Sequence, residues 1–229
     1  MSGLRVTLDG PGSSGKSSVG AAAAARLGYR FLDTGVLYRA ITLLSVLRDI
    51  DPEASAELVA LVPEIELVAD ADGAMRRATI GGEDVTSQLH VPAVDRRVSA
   101  VSAQAGVRAA LLQEQRDIAA PGRIILAGRD IGTVVLPDAE LKLYLDVSVE
   151  ERARRRAEER GLAPDSAEAA TILADLRRRD HLDGSRAVAP LRIPDDAVII
   201  RSDGRRFEDT VAAVVDIIRR HEGQEATPT

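Results

Sequence analysis

Apolar residues in this chain of 229 gather in short runs at residues 6–8, 29–32, 124–127, 141–145 and 197–200, interrupted only by Thr7, Arg30 and Lys142. None of these runs sustains an alternation with polar positions, and that pattern predicts strands covered on both faces, as in a parallel sheet. Helical patterns lie between most of them, at residues 16–27, 107–119, 149–160 and 206–221. Alternating strands and helices predict an α/β fold with a central parallel sheet. In such folds ligands bind beyond the carboxyl ends of the strands. Asp9, Asp33, Gly128-Arg129-Asp130 and Asp146 all fall at those ends.

Two stretches break the alternation. Residues 34–106 open with a predicted helix over 36–48 and a second helical run at 53–62. Segments 65–69 and 77–80 then flank the polar turn 70–74 and predict an antiparallel hairpin, with 83–85 as a third short strand and a closing helix over 93–104. The second stretch, 152–186, is helical and rich in arginine. The segment after His221 is polar, contains a proline and is expected to fray. No internal repeat is found.

Composition narrows the function. Hydrophobic residues make up 45% of the chain and mean hydropathy is −0.05, the balance of a soluble globular protein. No apolar run approaches the roughly 20 residues of a membrane span. The N-terminus lacks secretory features, so a cytoplasmic setting is expected. With no cysteine, thiolate chemistry and disulfides are excluded. Three scattered histidines (His90, His181, His221) argue against a His-based metal site. A net charge of −6 and the lack of tryptophan argue against nucleic acid as a partner. A monomer acting on small molecules is expected.

The sharpest chemical signal is Gly10-Pro11-Gly12-Ser13-Ser14-Gly15-Lys16-Ser17, followed by Ser18, which fits the phosphate-binding P-loop G-x-x-x-x-G-K-[ST]. A predicted strand precedes it and a predicted helix follows, so loop N–H groups and the positive helix end converge on phosphate. Lys16 is then expected to reach the β- and γ-phosphates and Ser17 to ligate Mg²⁺. The chain has only two lysines, Lys16 and Lys142, among many arginines, which suggests a need for a compact point charge in the loop.

Four further motifs are each open to a plain structural reading. Asp33-Thr34-Gly35-Val36-Leu37-Tyr38-Arg39 predicts a helix capped by Thr34, with Arg39 in reach of an anion at its N-terminus, or an ordinary surface helix. Gly128-Arg129-Asp130-Ile131-Gly132-Thr133 is a strand-end Arg–Asp pair or a local salt bridge. In Arg177-Arg178-Arg179-Asp180, with Asp183 and Arg186, Arg179 and Asp183 share a helix face that is either functional or solvated. Arg152, Arg155 and Arg156 either clamp a phosphoryl group or pair with neighbouring glutamates. Taken together, a P-loop and many arginines at strand ends describe a site for several phosphates.

The combination GPGSSGKSS, FLDTGVLYRA, VRAALLQEQR, GRDIGTVVLPDA and RRRDHLDGSRAVAPL closely resembles bacterial cytidylate kinases from about Leu4 to His221. The resemblance implies ATP-dependent phosphorylation of CMP and dCMP with Mg²⁺. It also implies a P-loop core (1–33, 107–150 and 189–222), an NMP-binding domain with a small antiparallel sheet (34–106), a helical lid (151–188) and a disordered tail (223–229). By motif, Arg39, Arg129 and Arg186 match residues around the CMP phosphate, with Thr34 beside them. Ser99, Arg108 and Asp130 match residues that read cytosine, Arg179 and Asp183 match residues at the ribose, and Arg152, Arg155 and Arg156 match lid arginines that close on ATP. Lys16, Arg129, Arg186, Arg155 and Arg156 are thereby implied in catalysis. Two positions depart from the family pattern. Ala127 stands where an acidic residue usually precedes GRD, leaving Ser17 with Asp33 or Asp9 to assist the metal, and Leu136 stands where Phe is common. A kinase with another acceptor and a nucleotide-dependent switch are the competing readings. The absence of an NKxD-like motif weighs against the switch.

Overall fold

A computed structural model describes residues 3–225. Its centre is one eight-stranded sheet. The strands are β1 (Arg5–Asp9), β2 (Arg30–Asp33), β3 (Ile65–Ala69), β4 (Ala74–Ile80), β5 (Glu83–Asp84), β6 (Ile124–Gly128), β7 (Leu141–Asp146) and β8 (Val198–Arg201), in the order β3-β4-β2-β6-β1-β7-β8 with β5 on β4. Strands β2, β6, β1, β7 and β8 are mutually parallel. The register places Asp9 opposite Gly128 and Asp33 opposite Ala127, so the predicted site segments leave the sheet side by side.

The helices are α1 (Lys16–Leu27), α2 (Gly35–Leu47), α3 (Ser55–Ala60), α4 (Pro92–Ala103), α5 (Ala105–Ala119), α6 (Val149–Glu159), α7 (Ala167–Ser185) and α8 (Phe207–Glu225). Helix α1 is thin where it faces the sheet. A Cβ on Gly20 would come within 2.6 Å of the Phe31 ring, so that glycine permits the close approach. Phe31, Val19, Ala23 and Ala24 join Leu8, Leu143 and Val214 of α8 in one core on that face.

The hairpin predicted in residues 65–80 forms, and β4 also pairs with β2 in parallel through Phe31–Ala74 and Leu32–Met75. The antiparallel strands therefore extend the central sheet. Strand β4 begins at Ala74, three residues earlier than the apolar pattern indicated. The turn closes tightly, with Asp70 N–H donating to Ala74 O at 2.8 Å. A second core joins α2, α3 and α4 and takes in Val107 and Leu111 of α5.

The arginine-rich stretch is not one helix. Helices α6 and α7 are separated at Gly161, which has φ +65°, and pack on each other through Ala153, Ala157, Ile172 and Leu176. Helix α8 runs on through Glu225, so residues 223–225 are helical where fraying was expected. The rest of the predicted tail, 226–229, lies outside the described residues.

Candidate active site

Strand β1 ends at Asp9, and the chain then turns through the glycine loop into α1. Two features force glycine here. A Cβ at Gly10 would sit 2.6 Å from the carbonyl oxygen of Leu145, and Gly15 adopts φ +87° immediately before the helix. Lys16 Nζ donates to Pro11 O at 3.0 Å. Burial, seconded by the Arg129 charge, lowers the Lys16 pKa to about 7 against the pull of Asp33, Asp183 and Asp9. The loop is thus built around a charge short of counter-charge. Ser14 Oγ is buried without a partner.

Asp9 does not face an open position. Its carboxylate accepts from Ile131 N–H at 2.9 Å and Gly132 N–H at 2.8 Å, and burial raises its pKa to about 6. Asp9 therefore fixes the loop after β6, and the expectation that it assists a metal is corrected. That loop contains a single wide helical turn, Ile131–Val135, in which Leu136 N–H donates to Ile131 O.

Thr34 also differs from expectation. Its hydroxyl donates to Ala127 O at 2.9 Å, and its backbone is already helical, so it does not cap α2. Asp33 does so instead, accepting from Gly35 N–H at 2.9 Å. The Ala127 side chain packs in the apolar core with α1 and offers no oxygen ligand.

A cavity of about 350 Å³ opens beyond these strand ends. Its wall includes Gly12, Ser13, Gly15, Lys16, Ser17 and Ser18 of the loop, together with Thr34, Arg39, Ser99, Arg108, Arg129, Asp130, Arg152, Arg155, Arg156, Arg179, Asp183 and Arg186. Gly10, Pro11 and Ser14 stand behind that wall and shape the loop. Nine basic side chains face four carboxylates on the wall, although the chain as a whole is acidic. Such a focused positive field in a concave site selects polyanions.

The basic groups are held in pairs and bridges. Asp130 joins Arg108 to Arg186, whose Nη2 lies 3.3 Å away. Arg108 also donates to Ser102 O at 3.0 Å and lies over the Tyr38 ring, 5.3 Å from its centroid. Ser99 Oγ is buried beside them without a partner. Arg129 pairs with Asp183 of α7. Burial opposes both charges, yet the pairing raises the Arg129 pKa and lowers that of Asp183. A Cβ on Gly12 would lie 3.1 Å from Arg129 Nη2 and 3.7 Å from Arg179, which brings these arginines onto the glycine loop.

The solvated reading of the α7 charges holds for Arg177 and Arg178, which are exposed, and fails for Arg179 and Asp183, which are both buried. They share a face, but Asp183 pairs with Arg129 rather than Arg179. Arg152 is buried too, bonded to Gly12 O at 3.0 Å and to Asp180 at 2.5 and 3.1 Å. From the cavity wall it braces the loop through that Gly12 carbonyl. Arg155 pairs with Glu151 and donates to Ser202 O, while Arg156 reaches Asp95 at 3.6 Å. Arg39 is held by Leu89 O at 2.7 Å and Asp95 at 2.9 Å.

Sequence reasoning missed Asp95, Asp180, Tyr38 and His90 as parts of this site. Asp180 was visible inside the RRRD run. Asp95 carried no signal, because an acidic residue in the first turn of a helix is commonplace.

The family model described as cytidylate kinase matches residues 6–220. The chain belongs to the cytidylate kinase family. It is 41% identical over 224 residues to the cytidylate kinase of Mycobacterium leprae (strain Br4923), covering 97% of this chain and 99% of that one. It is 42% identical over 226 residues to the cytidylate kinase of Geobacter sulfurreducens, covering 99% and 96%. Among solved structures, an uncharacterized protein from Eubacterium ventriosum aligns with TM-score 0.51 at 10% identity over 95% of this chain and 98% of that one, a likeness of fold alone. Family membership agrees with the P-loop α/β architecture, in which glycine loop, GRD loop and α7 meet at one cavity.

Proposed function

We propose that this member of the family transfers the γ-phosphoryl group of ATP to CMP or dCMP, giving ADP and CDP or dCDP. The observation that carries the reading is the single cavity that joins the glycine loop and Lys16 to the Arg108–Asp130–Arg186 group, with Tyr38 and Ser99 beside it. One part suits a triphosphate. The other offers a carboxylate, a guanidinium and a free hydroxyl, groups able to match the donors and acceptors of a cytosine edge.

In this reading segment 34–106 is the acceptor-binding part, 151–188 is the lid, and 1–33, 107–150 and 189–222 form the core. Arg39, Arg129 and Arg186 take the acceptor phosphate, with Thr34 beside it, while Arg179 and Asp183 lie at the ribose. An oxygen of the acceptor phosphate is already anionic near neutral pH, so the chain needs no strong general base. Its work is alignment of donor and acceptor and neutralisation of charge on the transferring group. Lys16 and the lid arginines Arg155 and Arg156 supply positive charge there, and Arg152 keeps the loop in shape. The protein acts as a cytoplasmic monomer on small nucleotides. Among the described residues no helix is long and apolar enough to cross a membrane.

The donor set fits Mg²⁺. Ser17 and Asp33 both line the cavity, and no cluster of three or more His, Asp or Glu is arranged to hold a metal among the described residues. Mg²⁺ commonly keeps its waters and takes one or two protein donors beside phosphate oxygens. When bound it neutralises phosphate charge. ADP release measured with CMP, dCMP, UMP, AMP and GMP tests the reading. CMP and dCMP should be the good acceptors, and an inert CMP would overturn it.

A further inference from the structure

Asp95 stands in the first turn of α4, where the helix dipole favours a negative charge. It does not belong to the cavity wall, yet three arginines of that wall converge on it from three different segments. Arg39 of α2 lies 2.9 Å away, Arg179 of α7 3.5 Å and Arg156 of α6 3.6 Å. The Asp95 side chain is 14% exposed and that of Arg179 only 6%. Helices α6 and α7 belong to the segment read as a lid, and α2 and α4 to the acceptor side.

We propose that Asp95 is a positioning residue that clasps the α6–α7 pair to the acceptor side and aims Arg39 and Arg179 into the cavity. The geometry leaves the arginines usable. Asp95 and the Leu89 carbonyl take one nitrogen each of Arg39, and a guanidinium has five N–H donors. Arg179 Nε is buried with no partner, a donor held ready. Without the carboxylate, desolvated guanidinium groups would face one another unshielded. Burial, then Arg129 and Arg39, already push the Arg179 pKa down to about 10. Asp95 itself stays ionised, because Arg39 and Arg156 outweigh its burial.

Two measurements test this on the full chain. The absence of cysteine allows a clean pair of labels at exposed positions, Ser87→Cys beside α4 and Ala170→Cys on α7. Electron–electron distance measurements without ligand should give a narrow distribution for the parent and Asp95→Glu, and a broad, longer one for Asp95→Asn and Asp95→Ala. Unchanged distributions in Asn and Ala would overturn the clasp. The second measurement rests on the function proposed above. Asp95→Asn should raise KM for CMP about 10-fold while kcat changes less than about 3-fold, and Asp95→Glu should recover most of the loss. An unchanged or lowered KM would show a bystander or a competitor of phosphate and overturn the positioning role. If the parent fails to phosphorylate CMP, the function falls, and the distances still decide the clasp.

Discussion

Replacing Lys16 by methionine separates what the site needs from what the fold needs. Burial is the main cause of the fall in the Lys16 pKa from 10.5 to about 7. That shift corresponds to about 5 kcal/mol of net destabilisation of the charged form below pH 7, burial and the Arg129 charge together outweighing the aspartates. Methionine has similar length and no charge to desolvate. Part of that cost is recovered, and we expect Lys16→Met to gain about 1–3 kcal/mol in unfolding free energy, since exchanging buried charge for apolar volume is often stabilising. For a chain of this size that is a rise in Tm of about 2–10 °C.

The sign of the pH dependence follows from the same shift. Between pH 7 and 10.5 the unfolded chain binds a proton at Lys16 that the folded chain has released, so stability of the parent rises with pH through that window. The advantage of Lys16→Met is therefore largest below pH 7 and closes toward pH 10.5. Activity should move the other way. Loss of one charge contact to the transferring group costs about 3–4 kcal/mol, or about 10²–10³-fold in kcat. Thermal unfolding followed by circular dichroism at pH 6, 8 and 10, with ADP release under saturating ATP and CMP, checks both arms. Near-parental turnover would refute the role of the lysine, and a Tm that falls in the variant would refute the charge-burial reasoning.

Arg186→Ala should lower kcat/KM for CMP by about 10²–10³-fold, because the residue is both an anion donor and half of the Asp130 bridge; steady-state kinetics decide it. Arg108→Ala should cut the preference for CMP over UMP by about 10-fold or more, as one specific hydrogen-bonding group is lost; an unchanged ratio would remove Arg108 from base recognition. Gly10→Ala forces a Cβ to 2.6 Å from a backbone oxygen, so the loop must shift. A displacement of about 1 Å at a catalytic loop costs about 10²-fold, and turnover within 2-fold of the parent would show that the loop tolerates it.

Much of this architecture is legible from local chemistry. The five apolar runs became β1, β2, β6, β7 and β8; the first four are largely buried, as parallel strands without a polar face should be, whereas β8 lies at the sheet edge and leaves Val198 and Ile199 exposed, against the expectation that both its faces are covered. Helix α1 was readable to the residue, since Gly15 sets its start and Gly28, at φ +64°, its end. The union of the hairpin with the main sheet was not legible. Pairing of Phe31 with Ala74 depends on a contact across 43 positions of chain, and neither residue advertises a partner. Thr34 misled for a similar reason. Its spacing suits a cap, but the neighbouring Ala127 carbonyl competes for the hydroxyl, and that carbonyl arrives from a distant strand. The arginines were legible as a set because their number exceeds what local pairing requires. Their carboxylate partners were not, because one aspartate on a helix looks like any other.

Those partners explain how the protein can crowd so many guanidinium groups together. Each brace joins segments remote in sequence: Asp95 to Arg39, Asp130 to Arg108 and Arg186, Asp183 to Arg129, and Asp180 to Arg152. A carboxylate behind each guanidinium fixes its plane and cancels part of the repulsion, while the remaining N–H groups stay free for phosphate. Preorganisation of this kind moves the cost of ordering long side chains from binding to folding. It also predicts an asymmetry. Removing an arginine leaves a buried carboxylate without a partner and should weaken both fold and binding. Removing a brace leaves the cations more charge to offer an incoming phosphate but frees them to wander, so binding loses more in geometry than it gains in charge while the fold is spared an unpaired buried carboxylate. Asp180 meets that test most directly, because its partner Arg152 bonds the Gly12 carbonyl of the glycine loop, Asp180 itself stands off the cavity wall, and no other carboxylate is paired with that guanidinium among the described residues.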